Sequence, residues 1–112
     1  MPKKVLIVSE TLGRGDEELG RLLMKSFIYS LARDPERPAA VMLANGGVRL
    51  ACEGSESLDD LRLLVEAGVA VKSCGTCLDY YGLTGSLEVG EVGTMQATVA
   101  AVLGEDPFVT IA

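Results

Sequence analysis

Short continuous apolar runs alternate along the chain with longer stretches in which apolar residues recur every three or four positions. The first run is Val5-Leu6-Ile7-Val8. Consecutive apolar residues of this length fit a strand covered on both faces of a parallel sheet. A glycine-bearing loop follows, Thr11-Leu12-Gly13-Arg14-Gly15. Asp16 then supplies a helix N-cap, and Glu17 and Glu18 put negative charge in the first turn, where the helix dipole favours it. Leu19, Leu22, Leu23, Phe27 and Leu31 make an apolar stripe at helical spacing, with Glu18, Arg21, Lys25 and Arg33 on the other side. Pro35 and Pro38 mark the exit loop.

Ala39 to Ala44 reads as a second buried strand, ended by Asn45-Gly46-Gly47. A short irregular segment then carries Cys52-Glu53-Gly54-Ser55. Ser57 with Asp60 three residues on predicts a capping-box variant opening a second helix. Leu58, Leu61, Leu64 and Val65 are its apolar stripe and Gly68 its stop. Val69-Ala70-Val71 predicts a third strand running into Cys74-Gly75-Thr76-Cys77. Leu78 to Tyr81 allows one helical turn before Gly82. Leu87 to Val92 reads as a short fourth strand weakened by Gly90. Thr94 caps a last helix reaching Leu103, and Pro107 to Ile111 is a last strand. Strand–helix alternation with short loops predicts an α/β fold, an open and mainly parallel sheet with helices on both faces.

The last helix stands apart. From Thr94 to Leu103 it has no charged residue. A helix facing water on a sheet carries a charged stripe, so this one is expected to meet something other than water. Ala97 and Ala101, four apart, permit close helix contact, and a homo-oligomer is the expectation.

Composition narrows the chemistry. At 112 residues the chain has room for a single domain, taken as 1–112. Its net charge of −6 repels phosphate backbones, so no nucleic-acid partner is expected. The chain has no histidine, which removes imidazole bases and His–metal sites. It has no tryptophan and few aromatic residues, a poor supply of stacking platforms. No apolar run is long enough to span a bilayer, and the four-residue run before Glu10 is too short for an export signal. A cytoplasmic location without membrane contact is therefore expected, and three cysteines there argue against a disulfide framework. A zinc site is poorly supplied too, so neither metal nor other cofactor is expected.

In parallel sheets, ligands gather beyond the carboxyl ends of the strands, near a switch in strand order. Three features fall at such ends: Gly13-Arg14-Gly15 after the first strand, Asn45-Gly46 after the second, and Cys74-Gly75-Thr76-Cys77 after the third. Backbone N–H groups of a following helical turn can point at a cysteine sulfur there, and the thiolate is the nucleophile. Two cysteines at this spacing in a glycine-containing loop favour function over simple packing. Cys52 is either a third thiol near the pair or an inert packed one. The Gly13-Arg14-Gly15 loop matches neither the dinucleotide fingerprint nor the P-loop, and Asp16-Glu17-Glu18 would repel a phosphate. It is read as one wall of the cysteine site, with Arg14 steering an anionic sulfur or selenium species.

Val5-Leu6-Ile7-Val8-Ser9, Thr11-Leu12-Gly13-Arg14-Gly15-Asp16, Asn45-Gly46-Gly47-Val48, Cys52-Glu53-Gly54-Ser55-Glu56 and Cys74-Gly75-Thr76-Cys77-Leu78 with Tyr81-Gly82-Leu83 come in a telling order. Taken together they resemble the DsrE-like superfamily, and more narrowly the C-terminal domain of the YedF proteins, which are sulfurtransferase-like and associated with selenium metabolism. The resemblance implies a flavodoxin-like three-layer sandwich with a five-stranded, mainly parallel sheet. It also implies a trimer or hexamer. Sulfur-relay relatives carry a persulfide on a cysteine eight residues before a glycine, and here Cys74 stands eight before Gly82. Cys77 is the extra cysteine. YedF proteins carry a TusA-like domain ahead of this one, so a TusA-like carrier is expected as a separate partner, with a cysteine desulfurase as donor.

Three functions compete. The first is sulfur or selenium relay on Cys74, resolved by Cys77. The second is a non-catalytic regulatory or scaffold module that binds a TusA-like carrier. The third is a dithiol–disulfide redox protein.

Overall fold

The computed structural model describes residues 2–112. Strands β1 (Lys4–Ile7), β2 (Ala40–Leu43), β3 (Ala70–Cys74), β4 (Glu91–Gly93) and β5 (Phe108–Ile111) form one sheet in the order β4-β3-β2-β1-β5. All four neighbouring pairs are parallel. Helices α1 (Glu17–Arg33), α2 (Leu58–Glu66), α3 (Gly75–Tyr80) and α4 (Met95–Leu103) lie between them. This is the flavodoxin-like sandwich, with every strand parallel.

The strand order explains the layers. The chain steps from β1 to β4 in one direction, then returns past the sheet to place β5 beside β1. Right-handed crossovers put connections of one direction on one face and the return connection on the other. So α1 and α2 share one face, and α4 has the other to itself.

Strand periodicity sorts the side chains. Val5, Val41 and Val71 are in register, as are Ile7, Leu43 and Ser73, and all six are buried. The apolar members pack with Met24, Ile28 and Ala32 of α1 and Leu61 and Leu64 of α2. Leu6, Met42 and Lys72, in register one residue along, face α4. Beneath α4 the cover is thin. Of that helix only Ala101 is buried, while Met95, Val99, Val102 and Leu103 are exposed, Leu103 by 80%.

Four expectations need correction. The buried line of α1 is Gly20, Met24, Ile28 and Ala32; Leu19, Leu22 and Leu23 are exposed and Phe27 and Leu31 only half-buried. The small residues set the line: a Cβ on Gly20 would stand 2.8 Å from Thr11 Cβ, so the helix start presses against the loop there. Ser57 makes no side-chain cap to α2. Asp60 is instead nearly fully buried between Lys25 Nζ (2.9 Å) and Arg33 Nη1 (3.0 Å), tying α2 to α1. Asn45 to Ala51 is a 3₁₀ segment, which Gly47 makes possible, because a Cβ there would collide with the Ile7 carbonyl oxygen. The fourth strand is only Glu91–Gly93; Leu87 instead bridges to Cys52 antiparallel. No helix among the described residues is long and apolar enough to cross a membrane.

Candidate functional site

β3 ends at Cys74, and α3 begins at the next residue, Gly75. Strand alternation sends the Cys74 side chain to the same face as Lys72. There it borders an apolar groove of about 260 Å³ between the sheet and the start of α4, walled by Leu6, Val8, Met42 and Met95 among others. A Cβ on Gly75 would lie 3.1 Å from Val92 Cγ1, so the glycine lets α3 start hard against β4.

Cys77 lies on α3 and opens elsewhere. With Asn45, Thr76, Tyr80 and Tyr81 it lines a shallow cleft of about 270 Å³. The Asn45 backbone N–H donates to Cys77 Sγ at 3.1 Å. Asn45 has φ of 49°, a left-handed conformation that asparagine tolerates better than most residues. Its Oδ1 accepts from the Tyr81 hydroxyl, and the Arg49 guanidinium lies over the Tyr81 ring, 4.5 Å from its centroid. Arg49, Tyr81, Asn45 and Cys77 thus form one connected chain of contacts.

The two sulfurs interact. Burial pushes the Cys77 thiol above its ordinary range; the Asn45 N–H pulls it back, and the neighbouring Cys74 raises it again. A thiol beside a second thiol, each open to its own cleft, is equipped for exchange between sulfurs.

The other named residues fall into two sets. Asn45, Gly75 and Thr76 stand at the thiols, with Gly46 next to Asn45 in the 3₁₀ segment. Gly13, Arg14 and Gly15 border neither thiol cleft. The Gly13 N–H donates to the Ala112 carbonyl at 2.9 Å, fastening that loop beyond β5. The switch in strand order lies between β1 and β5, so the thiols at the end of β3 and the start of α3 sit away from it. Cys52 is 2% exposed, and its S–H donates to the Val48 carbonyl at 3.2 Å. Burial drives its thiol up, against the pull of Arg49 and with the push of Glu88. The sequence reading gave no site role to Tyr81, Arg49 or Lys72. The one signal for them was an asparagine directly before two glycines, a place where backbone can turn back toward a strand end.

No family model matches the chain, and no curated protein matches it in sequence. Solved structures do match in shape. The ychN protein of E. coli superposes with a TM-score of 0.69 at 21% identity, covering 97% of this chain and 99% of that one. MTH1491 of Methanobacterium thermoautotrophicum, a protein of unknown function, gives 0.67 at 22% identity, covering 98% and 99%. BT1422 of Bacteroides thetaiotaomicron, also of unknown function, gives 0.58 at 12%, covering 96% and 94%. The chain shares their fold. That fold is the one the DsrE-like resemblance implies, and it runs over nearly the whole of each chain.

Proposed function

We propose that this protein is a cysteine-dependent sulfur or selenium relay of the DsrE-like, YedF-related kind. The observation that carries the reading is the placing of Cys74 at the end of β3 and of Cys77 in the first turn of α3, with each thiol facing a separate cleft. Cys74 thiolate attacks the outer sulfur of a donor persulfide, R–S–SH. A Cys74 persulfide forms, and the donor leaves as its thiolate. An acceptor thiolate then takes the outer sulfur and returns Cys74 to the thiolate, with no net oxidation. With no acceptor present, Cys77 attacks the inner sulfur. Hydrosulfide leaves, a Cys74–Cys77 disulfide forms, and an external dithiol supplies the two electrons that reset it, becoming a disulfide itself.

A cysteine desulfurase is the donor class and a TusA-like carrier the partner class on this reading. Self-association through α4 belongs to it too, because an acidic chain meets a copy of itself with least repulsion on an uncharged face. The test is intact mass after incubation with a cysteine desulfurase and cysteine. A gain of about 32 Da per sulfur, reversed by reductant, is expected from persulfide chemistry. A mass that never changes refutes carriage.

A further inference from the structure

A further cavity, of about 220 Å³, lies between α1, the 3₁₀ segment and the loop before α2. Its lining includes Glu10, Arg21, Lys25, Arg49, Glu56 and Ser57, and none of these borders either thiol cleft. Ser57 is 2% exposed, yet its hydroxyl makes no hydrogen bond among the described residues. That hydroxyl lines the cavity, so a ligand there can supply the partner it lacks. Arg21 is taken up by Glu17 at 2.9 Å and Lys25 by Asp60 at 2.9 Å. The Arg49 guanidinium donates no hydrogen bond, and its nearest carboxylate, Glu10, is 4.0 Å away. Glu56 has no ion pair among the described residues.

The loosely paired Arg49 and Glu10, with the unpaired Glu56, therefore offer both signs to a ligand. A bare oxyanion would meet Arg49 and Ser57 but also Glu10 and Glu56. A bare cation would meet the two glutamates but also three basic side chains. A ligand bearing a carboxylate and an ammonium a few ångströms apart satisfies both sets. The volume, below the roughly 300 Å³ usual for drug-sized pockets, restricts it to a small molecule. We propose that this cavity binds a small α-amino acid as its zwitterion. The carboxylate accepts from Arg49 and the Ser57 hydroxyl, and the ammonium lies between Glu10 and Glu56. Because Arg49 also stacks on Tyr81, the bound carboxylate is felt along the contact chain to Asn45 and Cys77. The binding requires neither thiol, so it stands or falls apart from sulfur carriage.

An amide NMR titration of the full chain tests it, with L-alanine, sodium acetate and methylammonium chloride as separate probes. Alanine is expected to give saturable shifts at Ser57 and Arg49. Acetate and methylammonium should bind roughly tenfold or more weakly, since each leaves one set of charges unpaired. Glu56→Gln, at an exposed position, and Arg49→Gln should each weaken alanine by a similar factor. Equal binding of acetate or of methylammonium overturns the zwitterion assignment. No saturable shift with alanine overturns the site, as does unchanged affinity in both variants.

Discussion

On the α1/α2 face of the sheet, Val5, Ile7, Val41, Leu43 and Val71 meet Met24, Ile28, Leu61 and Leu64, and none of these side chains is more than 5% exposed. On the α4 face, Leu6, Met42 and Lys72 line an open groove, and the helix above it leaves Met95, Val99, Val102 and Leu103 in water. The strand order is the cause, since successive crossovers share one face and the single return crossover has the other. The well-filled face holds the fold together. The thin face is where Cys74 comes to the surface beside apolar groups that still lack cover.

The contrast breaks most readily under large-to-small substitution. Leu61→Ala, on the filled face, is expected to cost about 2–5 kcal/mol of unfolding free energy, the usual range for a buried leucine. Val99→Ala on α4 should cost within about 0.5 kcal/mol in the monomer, as exposed sites do. Denaturant unfolding of both variants checks this, and equal losses would erase the difference between the faces.

Acid sharpens the same contrast. Burial alone would raise the Asp60 carboxyl, but hydrogen bonds and charge from Lys25 and Arg33 outweigh it and hold the carboxyl below its ordinary range. A carboxyl lowered on folding stabilises the protein fully above its unfolded value, about 3.9. That stabilisation is lost as pH falls through the folded value. Asp60→Asn is expected to lower stability at neutral pH by about 1–3 kcal/mol, the cost of losing charge-assisted bonds to a buried group. It should also flatten the slope of stability against pH below about 4. An unchanged slope would mean that the triad does not couple α1 to α2.

On the α4 face a charge should alter association and leave folding alone. Val99→Lys is expected to keep the wild-type circular dichroism and to run as a monomer of 11.8 kDa by light scattering, while the wild type runs larger. A monomeric wild type would contradict self-association. The smallest effect expected is at Ser73, whose buried hydroxyl has no partner among the described residues. Ser73→Ala should be neutral or stabilise by up to about 1 kcal/mol, since it removes an unsatisfied group; a clear loss would reveal a partner.

Element identity was legible because strand and helix periods differ and the caps were strong: Asp16 accepts from the Leu19 N–H at 2.8 Å and Thr94 from the Ala97 N–H at 3.1 Å, as their positions imply. Facing was less legible. Hydropathy points to Leu19, Leu22 and Leu23, but close packing selected the line through Gly20 and Ala32, which hydropathy undervalues. At Asp60 local spacing suggested a cap, while two cations from α1, distant in sequence, claimed the carboxylate. The glycine loop after β1 could not be placed without the strand order, which sends β5 to its side. Cys74 and Cys77 were visible as a motif. That they open to opposite clefts follows from the strand parity of one and the helical position of the other.

Sulfur loading of Cys52→Ser, Cys74→Ser and Cys77→Ser, measured by intact mass after incubation with a cysteine desulfurase and cysteine, tests the central claim most directly. Cys52→Ser should load as the wild type does. Cys77→Ser should load and hold its persulfide longer, because the thiol that releases hydrosulfide is gone. Because the Cys77 thiol is raised, that release in the wild type should quicken as pH rises. Cys74→Ser should not load. Loading that survives Cys74→Ser, or that disappears with Cys77→Ser alone, would contradict Cys74 as the carrier.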